Sequence, residues 1–315
     1  MDNFPAIALG TWSWGSGFAG GDQVFGNHLS AADMQAVFAA AIKAGLNLWD
    51  TAAVYGMGTS EAALGELVRQ YPREDLILST KFTPQIADAH SSTPVADMLE
   101  ASCERLGTEH IDIYWVHNPT RVNQWTGELI GLLESGRIKR VGVSNHSLEQ
   151  IRQVNSTLTE AGFRLSAVQN HYSLLYRASE DTGILDYCRE NGMAFFAYMV
   201  LEQGALSGRY HPQNPMPEGS SRAASYNKVL PQLQNLTDAL QAIGNTHGAS
   251  TAQIAIAWAL AKGTIPLIGA TKVHHVEDAA QAAKVRLSAA AVSTLEAAAT
   301  ATGVDTRGSW EQVME

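Results

Sequence analysis

The sequence contains only two cysteines, Cys103 and Cys188, and no CxxC pair. Each lies in a separate helical pattern, which excludes a disulfide framework and indicates reduced, structural thiols in a cytoplasmic protein. Metal-ligand spacing is also missing, because His274 and His275 are adjacent and neither HxH nor HExxH occurs. We therefore predict a protein without a metal site.

Long apolar runs and an excess of positive charge are missing as well. The longest apolar stretch covers residues 193–201 and is far too short to cross a bilayer, and the N-terminus lacks the basic start and apolar run of a signal peptide. The formal net charge of −10 excludes a basic surface spread over the whole protein. We expect a soluble protein that binds a small molecule rather than a membrane or a nucleic acid.

The sequence does show a regular alternation of short apolar runs and longer helical patterns, which is typical of a parallel sheet wrapped by helices. Eight such repeats predict the α/β class, with residues 1–315 forming a single-domain (β/α)8 TIM barrel. A doubly wound open sheet is the competing fold, but residues 9–17 lack the glycine spacing and the following helix that it normally needs. The predicted strands are 6–11, 46–50, 76–81, 111–117, 139–144, 166–170, 194–199 and 264–269.

Capping residues predict where several helices begin and end. One amphipathic pattern begins after Ser30 and ends at Gly45, and Pro94 opens another that ends at Gly107. Residues 211–227 are polar, contain three prolines and follow the seventh strand, so they predict a long loop near the active-site face. Further candidate caps are Ser147, Ser179, Ser250 and Ser288, and Gly192 is a candidate helix stop.

Four polar residues lie at or just beyond the ends of predicted strands, where barrel enzymes hold their catalytic groups. They are Asp50, Tyr55, Lys81 and His117. A phenol with an ordinary pKa of about 10 is a poor proton donor near pH 7. An adjacent ammonium group is expected to lower that pKa, and a carboxylate to keep the ammonium charged. Each residue alone has an ordinary structural explanation as a turn or strand-end residue, but the combination favours catalysis.

The stretches that carry these residues, 45–65, 76–82 and 111–119, closely resemble three segments of the aldo-keto reductase family, and the run LGTEHID at 106–112 is similar to the one before the family's histidine. The resemblance implies an NADP-dependent oxidoreductase that reversibly reduces aldehyde or ketone carbonyls to alcohols. Tyr55 would donate the proton and His117 would orient the carbonyl.

The resemblance also implies a nicotinamide site in which Ser144, Asn145 and Gln169 bind the carboxamide and Tyr198 stacks on the ring. Residues 265–279 resemble the family's adenosine-phosphate segment, where Lys272 favours NADP, although NAD is possible. The implied cofactor contacts are Gly10, Thr11, Asp50, Ser144, Asn145, Gln169, Tyr198, Met199, Leu201, Gly269, Thr271, Lys272 and His275.

The chain departs from the family pattern in both cofactor segments. Met199 and Val200 stand where many relatives carry Ser and Pro, and Ala279 replaces the usual adenine-contacting Asn. Arg222, in the segment 211–227, is either a compensating phosphate contact or a solvent-facing residue.

Aromatic residues near the strand ends are candidates for the substrate pocket. Trp14 is the predicted substrate contact, together with Tyr55 and His117, whereas Trp115 fits the barrel core equally well; Trp12 and Trp125 are further candidates for the rim. Two other functions stay open. One is a catalytically silent, nucleotide-binding regulatory protein on the same fold. The other, a metal-assisted hydrolase, has little support from the strand ends.

Overall fold

The computed structural model describes residues 4–314 and contains a closed barrel of eight parallel strands. Strands adjacent in sequence pair in order, and the first pairs with the eighth through Gly10 and Gly269, which closes the barrel. All eight predicted strands are confirmed to within two residues at each end, and so is the TIM-barrel fold class. The strands are β1 Ala8–Gly10, β2 Leu48–Asp50, β3 Ile77–Phe82, β4 Ile113–Val116, β5 Val141–Ser144, β6 Leu165–His171, β7 Ala194–Tyr198 and β8 Ile265–Gly269.

Helices follow the strands and pack their apolar faces on the outside of the barrel. They are α1 Gly21–Phe25, α2 Ala31–Lys43, α3 Thr59–Val68, α4 Pro94–Leu106, α5 Val122–Glu134, α6 Leu148–Glu160, α7 Ala178–Asp181, α8 Ile184–Glu190, α9 Ser221–Tyr226, α10 Gln234–His247, α11 Thr251–Ala261, α12 Val273–Ala282 and α13 Ala289–Ala301. Within the described residues, none of these helices is long and apolar enough to span a membrane. Cys103 and Cys188 are buried free thiols.

Most predicted caps are confirmed. The side chains of Ser30, Ser147 and Ser250 each accept a hydrogen bond from the backbone N–H three residues later, in reciprocal capping boxes, and Ser288 also caps its helix. Ser179 was wrongly predicted as a cap. It lies inside α7, where its buried hydroxyl accepts a hydrogen bond from Asn170 Nδ2 at 3.3 Å.

The segment 211–227 is not a continuous loop, because its last part forms α9. The hydroxyl of Ser220 accepts a hydrogen bond from Ala223 N and so caps this helix. Inside it, Arg222 donates to the carbonyl of Gln203 at 3.3 Å. The segment therefore packs against the chain that leaves the C-terminal end of β7.

The barrel interior is apolar at one end and polar at the other. Ala8, Leu48, Ile113, Trp115, Ala167 and Phe196 form a fully buried apolar layer. Because side chains alternate along a strand, the residue two places after an inward apolar residue also points inward. Asp50 follows Leu48 in this way, Gln169 follows Ala167, and Tyr198 follows Phe196. Strand parity thus places the polar predicted residues above an apolar floor, at the C-terminal ends of the strands.

Candidate active site

Lys81, Asp50 and Tyr55 form a connected group at this polar end of the barrel. Lys81 Nζ is fully buried and donates to Asp50 Oδ2 at 2.5 Å and to the Thr51 carbonyl at 2.7 Å. Its third contact is the Tyr55 hydroxyl at 3.3 Å, and the ammonium lies 4.9 Å from the centre of the phenol ring. Burial acts to lower the pKa of Lys81, but the Asp50 carboxylate outweighs it and leaves that pKa raised. Lys81 is therefore a cation held beside the phenol.

The second oxygen of Asp50 is also occupied. Asp50 Oδ1 accepts a hydrogen bond from Ser79 Oγ at 2.6 Å and another from Gln169 Nε2 at 3.2 Å. The carboxylate is thus satisfied on both oxygens, as a buried charge requires. Ser79 was missed in the sequence, although its position two residues before Lys81 on the same strand face was a usable signal. Gln169, predicted to contact the carboxamide, reaches the same carboxylate.

Tyr55 is half-buried at the start of a turn that leads into α3. Burial raises its pKa above the ordinary value, and Lys81 opposes this only in part. The lowering effect of Lys81 on this pKa was predicted from the sequence, but burial has the larger effect. The phenol is therefore protonated at neutral pH, in the state that a proton donor needs.

His117 lies beside Tyr55, directly after β4, with ring centres 5.9 Å apart and nearly perpendicular planes. Burial, followed by the charge of Lys81, holds the pKa of His117 well below its ordinary range, so the imidazole is neutral. Its Nδ1 is 2.8 Å from Thr83 Oγ1. When the Thr83 hydroxyl donates to Nδ1, the proton of the neutral ring resides on Nε2.

Asn145 directly follows β5 and Tyr198 ends β7, and their side chains lie next to each other. Asn145 adopts a left-handed backbone conformation with φ of 63°, which asparagine tolerates better than most residues. Its Nδ2 donates to the His117 carbonyl at 3.0 Å, and its Oδ1 accepts from the Tyr198 hydroxyl at 2.6 Å. Ser144 is buried at the end of β5, with its Oγ 3.3 Å from Asn145 Nδ2.

A buried acidic cluster supports Tyr198 and was missed in the sequence. The Tyr198 hydroxyl also lies 2.7 Å from Glu311 Oε1, and the Tyr198 ring is stacked on His171 at 5.5 Å. His171 Nδ1 is 3.0 Å from Glu311, and Nε2 is 3.0 Å from Glu202. Glu311 is 140 residues from His171 in the sequence, so no local pattern could have joined them.

The remaining predicted cofactor residues lie at the ends of β1, β7 and β8. Gly10 ends β1, and the buried Thr11 is fixed by a 2.9 Å contact with Ser60. Met199 follows β7 with a φ of 62°, and Leu201 packs against the core. Gly269, at the end of β8, has an exposed backbone.

Basic residues gather at the start of α12, just beyond β8. Lys272 is the exposed residue preceding the helix, and Thr271 N donates to His275 Nδ1 at 3.3 Å. Burial, together with the charges of His274, Lys272 and Arg209, lowers the pKa of His275 to about 4. Arg209 comes from the chain after β7, so two strand ends supply this basic cluster. A helix N-terminus with nearby cations suits a phosphate group.

The tryptophans occupy positions that correct part of the prediction. Trp14 is a core residue that donates its indole N–H to the Ala270 carbonyl at 2.8 Å. Trp12, two residues earlier, stacks on Tyr55 with ring centres 5.4 Å apart and planes at 17°. Trp115 lies in the barrel floor and Trp125 is buried in α5. The indole facing the candidate proton donor is therefore Trp12, whereas that of Trp14 is buried in the core.

Comparisons with known proteins show the family and the fold of this chain. The sequence model of the Aldo/keto reductase family matches residues 6–300 of this chain. Chloroplastic pyridoxal reductase from Arabidopsis thaliana is 31% identical over 289 residues, covering 86% of this chain and 77% of that protein. Aldo-keto reductase yakc, NADP(+), from Schizosaccharomyces pombe is 30% identical over 316 residues, covering 94% of this chain and 89% of its own. The structure of the glycerol dehydrogenase from Gluconobacter oxydans, 24% identical, has the same fold with a TM-score of 0.81, covering 98% of this chain and 96% of that one.

Proposed function

The chain belongs to the aldo-keto reductase family of NAD(P)H-dependent oxidoreductases, and from that premise we propose that it reduces an aldehyde or ketone to an alcohol with NADPH and with Tyr55 as the proton donor. The observation that carries the proposal is the position of Lys81 Nζ, which contacts both Asp50 Oδ2 and the Tyr55 hydroxyl. The reaction is reversible, and Tyr55 recovers its proton when an alcohol is oxidised.

The chain's own side chains handle the proton and the charge on the oxygen. When bound, the reduced nicotinamide supplies hydride to the carbonyl carbon. Tyr55 donates its proton to the carbonyl oxygen, and Lys81 stabilises the phenolate that is left. Asp50 and the Thr51 carbonyl keep the ammonium in place during this change of charge. Neutral His117, with Nδ1 engaged by Thr83, offers Nε2–H to the same oxygen.

Two groups of residues fit an NADP molecule. Ser144, Asn145, Gln169 and Tyr198 provide fixed amide and hydroxyl groups and an aromatic ring for the nicotinamide carboxamide and ring. At the other end, Lys272 and Arg209 offer positive charge to the 2′-phosphate, and the neutral His275 offers a hydrogen bond. Between these two groups of residues, Arg222 is a candidate contact for a cofactor phosphate. Its Nε is buried and has no hydrogen-bond partner among residues 4–314, which supports this role.

The substrate side is aromatic. Trp12 lies over Tyr55, and its edge contacts are Phe25 at 5.1 Å and Trp310 at 6.3 Å. The indole N–H of Trp12 donates to the Ala19 carbonyl at 2.9 Å, which fixes the ring. We propose Trp12, in place of Trp14, as the substrate contact. Rigid aromatic walls of this kind suit apolar or sugar-like carbonyl compounds.

Replacement of Tyr55 by Phe tests the proposal, because it keeps the ring and removes the proton. General acid catalysis contributes roughly 10²- to 10⁴-fold, so we expect kcat to fall by that factor. The assay follows loss of NADPH absorbance with a panel of aldehydes and ketones, and calorimetry measures the Kd of NADP⁺, which should stay within a few-fold of the parent value.

Turnover by Tyr55→Phe at the parent rate would refute Tyr55 as the donor. Tight NADP⁺ binding by the parent protein, with no turnover of any carbonyl compound, would instead favour the nucleotide-binding regulatory protein.

A further inference from the structure

The Tyr198 hydroxyl has two acceptors within reach but only one proton. Asn145 Oδ1 is at 2.6 Å and Glu311 Oε1 at 2.7 Å. The amide of Asn145 is oriented by its other end, since Nδ2 donates to the His117 carbonyl. Its oxygen, an acceptor, therefore faces the phenol. The hydroxyl can donate fully to only one of its two neighbours at a time.

Glu311 is held firmly in place. Its side chain is 1% exposed, and it accepts hydrogen bonds from Gly308 N at 3.2 Å and from His171 Nδ1 at 3.0 Å. Both ring nitrogens of His171 face carboxylates, so the ring donates to both only as an imidazolium.

The other carboxylate, Glu202, is equally fixed. Its Oε2 accepts from the Tyr226 hydroxyl at 2.6 Å, and its Oε1 accepts from Thr306 Oγ1 at 2.8 Å as well as from His171 and Ser173. Glu311 thus belongs to a buried network that joins β6, the chain after β7, and the C-terminal segment 302–314.

We propose that Glu311 is a positioning residue of the nicotinamide site: by accepting the hydrogen bond of the Tyr198 hydroxyl, it leaves Asn145 Oδ1 free to accept a hydrogen bond from the carboxamide of the cofactor. This inference rests on the proposed function, in which Asn145 and Tyr198 contact the nicotinamide. A charged acceptor attracts a hydroxyl proton more strongly than an amide oxygen does. Without Glu311, the phenol donates to Asn145 and competes directly with the carboxamide NH₂.

The proposal predicts a dependence between two positions that simple loosening of the fold would not produce. Glu311→Ala should weaken NADP⁺ binding by up to about tenfold, the scale of one hydrogen bond between two neutral amides. In the Tyr198→Phe background, which keeps the ring but has no competing proton, the same substitution should change the Kd by less than about twofold. Calorimetric titration of the four proteins gives this cycle without any turnover.

Two further measurements sharpen the experiment. The 3-acetylpyridine analogue of NADP⁺ has no amide NH₂ to donate, so Glu311→Ala should not weaken its binding. Glu311→Gln offers the phenol an amide oxygen equal to that of Asn145, so its affinity for NADP⁺ should lie between those of Glu311→Ala and the parent. Val313→Ala, at a residue 57% exposed in the same segment, is the matched control and should bind like the parent.

Equal weakening by Glu311→Ala with and without the Tyr198→Phe substitution would assign Glu311 a structural role and overturn the proposal, and so would unchanged binding by Glu311→Ala. If Glu311→Ala does not fold, Glu311→Gln is measured with and without Tyr198→Phe. We expect Glu311→Gln to weaken NADP⁺ binding by about threefold and to have almost no effect in the Tyr198→Phe background, and equal weakening in both would contradict the proposal. A parent protein that binds NADP⁺ without reducing carbonyls would refute the proposed function while leaving the binding cycle interpretable.

Discussion

The protonation state of each side chain in this site depends on the balance between its burial and the charges beside it. Burial raises the pKa of Tyr55 and lowers that of His117, so both groups are neutral at pH 7. Lys81 stays charged in the same environment because Asp50 is 2.5 Å away. The site thus combines one compensated cation with two neutral proton-carrying groups.

Lys272 provides the residue-level prediction on cofactor choice. It is exposed and precedes a helix N-terminus, where its charge is available to a 2′-phosphate that only NADPH carries. We expect Lys272→Ala to weaken NADPH binding by about tenfold and NADH binding by less than about twofold. Fluorescence titration with both cofactors measures the Kd values. Added salt should reduce the preference of the parent protein for NADPH over NADH.

Lys43→Ala is the control for this experiment. Lys43 is the last residue of α2, immediately before the chain enters β2 at the opposite end of the barrel. The Lys43→Ala substitution should leave the affinities for NADPH and NADH unchanged. Equal losses of NADPH and NADH binding on replacing Lys272 would show that the 2′-phosphate is bound elsewhere.

At the level of elements, strand and helix boundaries were predictable because they depend on local patterns. Each strand is a short apolar run, and Asp50 and Lys81 sit at strand ends that the runs themselves define. The direction of a side chain in a turn has no such pattern, so the sequence did not show that Trp14 is buried in the core while Trp12 stacks on Tyr55. Glu311 could not be found either, since its contacts with His171 and Tyr198 join segments more than a hundred residues apart.

Two helix glycines give stability predictions of opposite sign, because one lies at the contact between α3 and α4 and the other is exposed on α5. A Cβ on Gly65 would lie 2.1 Å from the backbone oxygen of Arg105, so the helices would have to separate. We expect Gly65→Ala to lower the free energy of unfolding by roughly 1–3 kcal/mol, despite the better helix propensity of alanine. Gly131, exposed on α5 with no atom within 4 Å of a Cβ, is the control and should gain up to about 1 kcal/mol. Urea unfolding at pH 7 compares them, and stabilisation by both substitutions would contradict the close approach.

For the molecule as a whole, the C-terminal segment closes the structure over the barrel's polar end. Trp310 contacts Trp12 on the proposed substrate side, and the adjacent Glu311 contacts Tyr198 on the proposed nicotinamide side. Glu311 in this segment is bound to His171 of β6, so the titration of one buried residue affects how firmly the C-terminal segment is held to the barrel.

His171 therefore predicts how stability changes at alkaline pH. Although burial alone would lower it, the facing carboxylates of Glu202 and Glu311 raise the pKa of His171 to about 9. The other groups facing its ring are Tyr176 and Tyr198, whose pKa values are raised, to about 12 for Tyr176. A folded-state pKa above the unfolded value of about 6.5 gives stability that is complete below about pH 6.5 and is lost as the pH rises through 9. We expect the free energy of unfolding to fall by about 1 kcal/mol per pH unit between about pH 7 and 9.

Two histidine variants separate this effect from the rest of the protein's titration. His171→Gln cannot lose a proton, so its unfolding free energy, although lower throughout, should be nearly independent of pH between about 7 and 9. His146 is the matched control, since it is fully buried but faces no carboxylate contact among the described residues, and burial lowers its pKa to about 4. Its contribution is complete above about pH 6.5 and is lost toward pH 4, so His146→Gln should change the acid side and keep the alkaline slope. An alkaline slope in His171→Gln as steep as in the parent would show that another group, and not the imidazolium between the two glutamates, holds the C-terminal segment.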